Sequence, residues 1–290
     1  MIELVIPQRR RDLGGFEVGR VLPFPQRRMV GPFIFFDHMG PVDFPPGIPR
    51  TVDVRPHPHI GLATLTYLFA GEIMHRDSVG SEQAIRPGEV NWMTAGRGIT
   101  HSERFERARR QGGLTDGIQA WIALPKEKEE TDPAFSHHAT LPLVEKNVRL
   151  IAGEAMGLKA PVPVYSPLFY LHADLSAGEQ LALPKYPERA VYVASGAVEA
   201  GGQRVEQSNM AVLAPGPATV KALAPSTLIV IGGEPVGERH IEWNFVSSSK
   251  ERIEQAKADW RAGRMKLPDL DDGEFIPLPG DPAPPPNPMS

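Results

Sequence analysis

Short apolar runs separated by Gly- and Pro-containing turns make up the chain between residues 30 and 124. Runs this short, this closely spaced and this rich in turn residues are typical of a β-sandwich or a β-barrel. No helix of any length is predicted in this region. The runs that define the predicted strands are FIFF (33–36), LATLTYLF (62–69), EVNWM (89–93) and IQAWIAL (118–124).

A second strand-rich region follows the polar segment at residues 124–142, which we interpret as a connection between two domains. The rhythm of LTYLFAGEI (65–73) in the first region is similar to that of VYVASGAVE (191–199) in the second, which indicates a duplicated β-unit. The apolar runs of the second region are VRLIAG (148–153), LFYLHADL (168–175), RAVYVASGAVEAGG (189–202), MAVLAPG (210–216) and LIVIGGEP (228–235).

One helix is predicted near the C-terminus, in SSSKERIEQAKADWRAGRM (247–265). Ser248 and Glu251 have the spacing of a capping box, and Gly263 stands where such a helix would end. Apolar residues recur on one face of this helix, which predicts that it packs on a barrel wall. They are Ile253, Ala256 and Trp260.

Composition narrows the function classes. An apolar fraction of 41% in 290 residues is enough to form a hydrophobic core. About two domains are expected at this length. Lys and Arg number 31 against 35 Asp and Glu, so the net charge of −4 argues against direct nucleic-acid binding. With no cysteine, any metal ion must use nitrogen and oxygen ligands. Because signal-peptide and membrane-span patterns are missing, we expect a cytoplasmic protein without a membrane partner.

Two histidines lie two positions apart in RPHPHIG (55–61). On a strand, His57 and His59 point to the same face. Pro56 and Pro58 each remove a backbone donor, which restricts this segment to a sheet edge or a barrel rim. The pair is either the beginning of a metal site or an ordinary turn or core pair.

The same spacing recurs in TAGRGITHSERF (94–105), where His101 and Glu103 again point one way on a strand. Two such pairs on neighbouring strands could converge on one ion. Three imidazoles and a carboxylate suit Fe(II), Mn(II), Co(II), Ni(II), Cu(II) or Zn(II), and an octahedral ion would keep two positions open. The alternative for Glu103 is a surface salt bridge with Arg104 or Arg107.

The segment from HPHIGLATLTYLF to GRGITHSE (57–103), together with PFIFFDHMGP (32–41), resembles the pirin family of the cupin superfamily. The resemblance implies an all-β bicupin, two antiparallel β-barrels of jelly-roll type followed by a C-terminal helix. It also implies one metal ion, usually Fe(II), in the N-terminal barrel. The family's four ligands correspond to His57, His59, His101 and Glu103.

The second barrel is expected to be empty of metal, because neither counterpart of the ligand pairs, near residues 182–185 and 220–223, offers an imidazole or a carboxylate. The predicted domains are an N-terminal metal-binding cupin domain (1–135), a C-terminal cupin domain without metal (136–245), a C-terminal helix and packing segment (246–276) and a Pro-rich disordered tail (277–290).

The resemblance further implies a quercetin 2,3-dioxygenase-like activity that opens the ring of a flavonol with O2. Glu103 would bind the metal and take the proton of the substrate's 3-hydroxyl. Some residues are candidates both for the site and for a structural role. Phe35, Trp92 and Met93 are expected either in an apolar substrate wall or in the barrel core; Asp37 and His38 either orient a ligand imidazole or stabilise a turn. His75 is expected near the site or in a strand-end hydrogen bond.

The alternative function implied by the resemblance is a non-enzymatic, redox-responsive regulator that binds a transcription factor or a metabolic enzyme. The basic segment RFERARRQGG (104–113) favours it, because it follows the ligands directly and would place charge beside the metal. Another cupin activity, such as isomerisation, would use a similar ligand set.

Overall fold

Antiparallel strands account for most of the computed structural model, which describes residues 1–12 and 15–282, and confirm the predicted all-β class. No helix in these described ranges is both long and apolar enough to span a membrane. The strands of the first half are β1 (Ile2–Pro7), β2 (Arg9–Asp12), β3 (Glu17–Leu22), β4 (Phe33–Phe44), β5 (Val54–His59), β6 (Leu62–Ala70), β7 (Ile73–Asp77), β8 (Glu82–Ile85), β9 (Val90–Thr94), β10 (Ile99–Arg104), β11 (Gly113–Ala123) and β12 (Ala134–His138).

The second half adds thirteen strands and the C-terminal helix. They are β13 (Leu143–Glu145), β14 (Val148–Ala155), β15 (Leu158–Lys159), β16 (Leu168–Leu175), β17 (Gln180–Ala182), β18 (Glu188–Ser195), β19 (Ala197–Ala200), β20 (Gln203–Glu206), β21 (Asn209–Leu213), β22 (Thr219–Ala222), β23 (Ser226–Gly233), β24 (His240–Glu242) and β25 (Phe245–Ser247). The α-helices are α1 (Glu106–Gln111) and α2 (Lys250–Arg261), and the 3-10 helices are Arg50–Val52 and Lys126–Lys128. The short helix α1 lies where no helix was predicted.

The sheets form two similar units, as the internal repeat predicted. The first unit combines a seven-stranded sheet, β12-β9-β6-β11-β4-β3-β2, with a four-stranded sheet, β5-β10-β7-β8. The second combines an eight-stranded sheet, β1-β21-β18-β23-β16-β14-β13 with β15 paired to β14, and a four-stranded sheet, β17-β22-β19-β20. The hairpin β24-β25 follows the second unit.

The two large sheets pack against each other and share one apolar core. Side chains of β4 from the first unit meet tyrosines of the second: the Phe36 and Tyr192 rings are 5.0 Å apart, and those of Phe33 and Tyr170 are 6.1 Å apart. Because side chains alternate along a strand, the other face of the first unit's large sheet is turned towards its own small sheet. The space between those two sheets is where the candidate site lies.

The second unit has an apolar interior of its own. Leu181, Leu183, Val220 and Ala222 are buried in it, and they occupy or adjoin the two stretches that correspond to the ligand pairs of the first unit. Packed aliphatic side chains therefore fill the places where imidazoles and a carboxylate stand in the first unit.

Two strands show how the sheets of the two units are connected along the chain. Strand β1 pairs with β21 in the second unit, and β12 continues past residue 135 as the edge strand beside β9. In a regular strand Ile2 and Ile6 would share a face, but the register of β1 against β21 shifts between Ile2 and Leu4. Ile2 is accordingly buried in the core of the second unit and Ile6 in the core shared by both units. Strand β1 therefore belongs to a sheet of the second unit, while the predicted domain division stays a prediction.

The C-terminal segment returns to the first unit. Helix α2 buries Ile253, Ala256 and Trp260 against Ile60 and Phe245, which confirms the predicted stripe. Ser249, not Ser248, caps it, because its hydroxyl accepts from the Arg252 backbone N–H at 3.2 Å. Of the predicted Pro-rich tail, residues 283–290 lie outside the described part of the chain.

Candidate metal centre

Strand register brings the two histidine pairs together. In the four-stranded sheet, β10 lies between β5 and β7, and His101 is directly opposite His57. Strand β5 is the sheet's edge, so the donors missing at Pro56 and Pro58 leave no ladder bond unmade, as predicted. The chain turns after β5 at Gly61, whose φ of +68° favours glycine.

Three histidines form a compact group that could hold a metal ion. The ligand atoms of His57, His59 and His101 all lie within 4.8 Å of one another, and each residue is at most 6% exposed. The Nε2 atoms of His59 and His101 are 3.1 Å apart. Two nitrogens bound at about 2.1 Å and at a right angle to each other would be separated by about 3.0 Å. The residues therefore fit a divalent ion.

Hydrogen bonds leave the Nε2 atoms of His57 and His59 free for a metal. His57 Nδ1 is 2.9 Å from the carbonyl of Arg55, and His59 Nδ1 is 3.2 Å from the carbonyl of Asn244. Since a carbonyl only accepts, each Nδ1 must donate, which leaves Nε2 with its lone pair. Burial lowers the pKa of His57 to about 4 and holds the pKa values of His59 and His101 well below the usual histidine value. The imidazoles are thus neutral near pH 7.

Glu103 lines the same cavity as His57 and His59, but it is not part of the compact group of three histidines. Gln119 donates its amide N–H to Glu103 Oε1 at 3.0 Å, and Gln119 is in turn held by the Thr66 hydroxyl at 2.6 Å. Burial raises the pKa of Glu103. The alternative of a salt bridge with Arg104 does not occur, because Arg104 pairs with Asp271. The role of Glu103 as a fourth ligand stays a prediction.

His75 lies closer to the centre than the sequence indicated. Its Nδ1 is 3.4 Å from His101 Nδ1, and its Nε2 is 2.9 Å from Asp77 Oδ2. The signal was present in the sequence, since His75 and Asp77 form a third pair at the same two-residue spacing on a strand.

A cavity of about 850 Å³ opens beside the histidines, between the two sheets of the first unit. Phe35 and Trp121 stack with ring centroids 4.0 Å apart at 13°, and Trp121 meets His59 edge-on at 5.0 Å. Arg20 lies over the Phe35 ring at 4.4 Å and donates two hydrogen bonds to Asp37, at 2.9 and 2.8 Å. Phe35 and Asp37 therefore both line the cavity, but Asp37 orients Arg20 and not an imidazole. Burial raises the pKa of Asp37.

The other candidate residues lie away from the cavity surface. Trp92 is buried in the core shared by the units and donates to Thr94 at 3.0 Å. His38 is bound by Tyr192 at 2.8 Å and Asp116 at 2.7 Å, so it contacts the second unit and not a ligand imidazole. His38 follows the cavity-lining Asp37 by one residue, which turns its side chain to the opposite face of the sheet. Met93 packs in the cluster that contains Phe35 and Trp121.

The C-terminal segment supplies one side of the cavity. Its lining residues include Ile241, Trp243, Asn244, Glu274 and Ile276. The Ile276 backbone N–H donates to the Pro56 carbonyl at 2.8 Å, which covers the exposed edge of β5. The sequence alone does not reveal this contribution, because the contacts join residues separated by about two thirds of the chain.

Ion pairs neutralise the basic segment that follows the candidate ligands. Arg104 binds Asp271 at 2.7 Å and Glu274 at 3.1 Å, and Arg109 binds Asp53 at 2.7 Å. Only Arg107 and Arg110 among its arginines are exposed, and Arg110 lies 3.8 Å from Glu106. Two of the four arginines therefore form internal ion pairs, and those of Arg104 attach the C-terminal segment to β10.

Replacing Asp271 with asparagine is expected to lower the free energy of unfolding by about 1.5–3 kcal/mol, the usual contribution of hydrogen bonds to charged groups. Burial alone would raise the pKa of Asp271, but hydrogen bonds from Arg104 and Ser102 hold it below its usual value. This stability is present above the unfolded pKa of about 3.9 and is lost as pH falls through the folded value. Urea unfolding at pH 7 and pH 3 measures both effects.

The exposed pair of Asp269 with Lys266 provides the control. Asp269→Asn should change stability by less than about 0.5 kcal/mol. Equal losses in the two variants at pH 7 would contradict an anchoring role for Asp271.

Family models and relatives agree with this architecture. The model described as Pirin matches residues 15–122, and that described as the Pirin C-terminal cupin domain matches residues 170–266. A pirin-like protein from Caulobacter vibrioides is 67% identical, over 96% of this chain and all of that protein. A Pseudomonas aeruginosa protein named provisionally as a quercetin 2,3-dioxygenase is 40% identical, over 93% of this chain and 87% of its own.

Solved structures show the same fold. The crystal structure of quercetin 2,3-dioxygenase from Acinetobacter baumannii superposes with a TM-score of 0.88 at 34% identity, covering 96% of this chain and 95% of that one. The bacterial pirin YhhW from Escherichia coli, in complex with nickel(II), has a TM-score of 0.62 at 20% identity, over 81% of this chain and 100% of its own, and shows the fold alone. With both cupin domains matched and near-complete relatives in hand, the chain belongs to the pirin family of the cupin superfamily.

Proposed function

We propose that the protein is a metal-dependent dioxygenase that opens the ring of a flavonol such as quercetin with O2, using Fe(II). The observation that carries this proposal is the position of three buried, neutral histidines beside a cavity with a stacked aromatic wall. The similarity to quercetin 2,3-dioxygenase of Acinetobacter baumannii and to the provisionally named Pseudomonas aeruginosa relative supports the same reaction class.

Four side chains would hold the ion: His57, His59 and His101 through their Nε2 atoms, and Glu103 through a carboxylate oxygen. When bound, a divalent ion supplies Lewis acidity that lowers the pKa of a coordinating hydroxyl group. The set also admits Mn, Co, Ni, Cu or Zn, because imidazole and carboxylate ligands discriminate weakly among these ions.

Glu103 is the residue suited to handle the substrate proton. Burial raises its pKa, and Gln119 already donates to Oε1, so Oε2 would serve both the metal and the substrate proton. A base with a raised pKa holds a proton more readily at neutral pH, which suits the removal of the flavonol 3-hydroxyl proton. We therefore assign Glu103 two roles, as ligand and as base.

The cavity suits a flat aromatic guest. Its volume of about 850 Å³ is within the range of small-molecule sites, about 300–1,000 Å³. Trp121 is 7% exposed and contacts both Phe35 and the ligand His59, so a ring stacked on it would lie beside the metal position.

The reaction is tested by elemental analysis of native protein, followed by anaerobic addition of quercetin and then of O2. We expect quercetin absorbance to fall only after O2 is added, with one carbon monoxide released for each ring opened. Metal-depleted protein should be inactive and should recover on addition of Fe(II). Ring opening by metal-depleted protein would eliminate the proposal.

Replacing Trp121 with alanine is expected to raise KM for quercetin about 3- to 10-fold, because aromatic stacking contributes about 0.5–1.5 kcal/mol. Trp121→Phe keeps an aromatic face and should stay within about 2-fold of the native KM. Steady-state kinetics at matched metal content measures both variants. An unchanged KM in Trp121→Ala would place the substrate elsewhere in the cavity.

A further inference from the structure

We propose that Asp77 and His75 act as positioning residues that fix the tautomer of His101, so that its Nε2 lone pair is available to a metal. The proposal rests on the metal site described above. It assigns a role to a fourth imidazole at the centre that is not itself one of the predicted ligands.

Strand register places the three residues in line. Strand β7 pairs with β10 so that Asp77 is opposite His101 and His75 is opposite Glu103. All three side chains are buried, at 5% exposed for His75 and 1% each for Asp77 and His101. Phe135 stacks on the His75 ring at 4.4 Å and 18°, which restricts its rotation. The arrangement is therefore rigid before any ion binds.

The carboxylate of Asp77 determines which atoms donate and which accept in this chain of hydrogen bonds. Asp77 Oδ1 accepts the backbone N–H groups of Val79 at 3.0 Å and Ser81 at 2.9 Å, which orients Oδ2 towards His75 Nε2 at 2.9 Å. An ionised carboxylate only accepts, so His75 Nε2 carries the hydrogen. In the neutral imidazole, His75 Nδ1 is then an acceptor.

That acceptor determines the state of His101. With His75 Nδ1 at 3.4 Å, His101 Nδ1 donates, and His101 Nε2 keeps the lone pair that faces His59 Nε2. The carbonyls of Arg55 and Asn244 do the same for the other two histidines. All three Nε2 atoms thereby become ligand atoms together.

Strand position explains why His101 needs a side chain for this purpose. His57 and His59 lie on the edge strand, where nearby carbonyls can reach their rings. His101 lies on β10 between two hydrogen-bonded neighbours, whose carbonyls are used in the ladder. An acceptor for its Nδ1 must come from a neighbouring side chain, and β7 provides it.

Three variants distinguish this role from simple packing. His75→Asn places an amide oxygen near the position of Nδ1 and should preserve the acceptor. His75→Phe keeps a ring for Phe135 but removes the acceptor. Asp77→Asn keeps an oxygen for Val79 and Ser81, but its amide can donate to His75 Nε2, which turns His75 Nδ1 into a donor facing His101.

The direct test is long-range 1H–15N NMR of metal-free protein at pH 8, where ordinary histidines are neutral. We expect the Nδ1–H tautomer for His101 in the native protein and in His75→Asn. In His75→Phe and Asp77→Asn we expect a large population of the Nε2–H tautomer. Cobalt(II) affinity, measured by chelator competition, should fall about 10- to 100-fold in those two variants and within about 3-fold in His75→Asn.

The result that overturns the proposal is a native His101 found mainly as the Nε2–H tautomer. Equal cobalt affinities of His75→Phe and His75→Asn, in variants with native circular dichroism, would overturn it as well. Neither measurement uses quercetin, so failure of the dioxygenase activity would leave the tautomer result intact.

Discussion

Replacing His101 with alanine is expected to lower the affinity for a divalent metal by about 100-fold or more. Apparent binding free energies of about 10–16 kcal/mol for four-ligand sites are shared among the ligands, so loss of one removes several kcal/mol. His101 lies beside both other histidines, with its ring 4.3 Å from that of His57 and 5.1 Å from that of His59. Dialysis against a metal buffer followed by elemental analysis measures the effect.

His138→Ala is the matched control, since His138 is a partly buried histidine that does not belong to the cluster. Its metal content should equal that of the native protein. Activity with quercetin should disappear with the metal in His101→Ala and persist in the control. Native metal affinity in His101→Ala would remove the basis of the site.

Replacing Glu129 with alanine is expected to lower the free energy of unfolding by about 3–5 kcal/mol, as for other buried ion pairs that lose one partner. Glu129 and Arg239 are 5% and 6% exposed, and Glu129 Oε1 lies 2.8 Å from Arg239 Nε. Glu129 also accepts the hydroxyls of Ser247 and Ser248, at 3.0 Å each. Its removal leaves the buried guanidinium of Arg239 without its carboxylate partner. It also removes the hydrogen bonds that hold Ser247 and Ser248, at the start of the C-terminal segment.

The adjacent Glu130 is a close control. It is 57% exposed and pairs with Arg252 at 2.8 Å. Exposed pairs contribute about 0–1 kcal/mol, so Glu130→Ala should unfold at nearly the native urea concentration. If both variants lost the same stability, Glu129 would have to be a surface pair in solution.

Local rules account for what the sequence predicted well. The two-residue period of a strand put His57 and His59 on one face and His101 with Glu103 on one face, without knowledge of any partner strand. The prolines limited β5 to an edge for an equally local reason. The stripe of Ile253, Ala256 and Trp260 followed from the helical period.

Long-range register accounts for what the sequence could not supply. The two-residue period places Trp92 and Met93 on opposite faces of the sheet, but it does not say which of the two faces the second unit. The capping serine was displaced by one residue because Glu129, over a hundred residues away, binds Ser248. Asn244, which holds His59, and Asp271, which binds Arg104, likewise become visible only when the C-terminal segment lies against β5 and β10.

Strand β1 is made first but pairs with a strand that is made late. Its partners lie at residues 209–213. During synthesis β1 therefore stays unpaired until about two hundred further residues have been made, which takes roughly 10–40 s at usual translation rates. Until then this apolar strand, next to the first unit as it emerges, has no partner strand and is exposed to chaperones or to other chains. A nascent chain stalled before residue 209 should therefore keep β1 unpaired, even where the sheets of the first unit have formed.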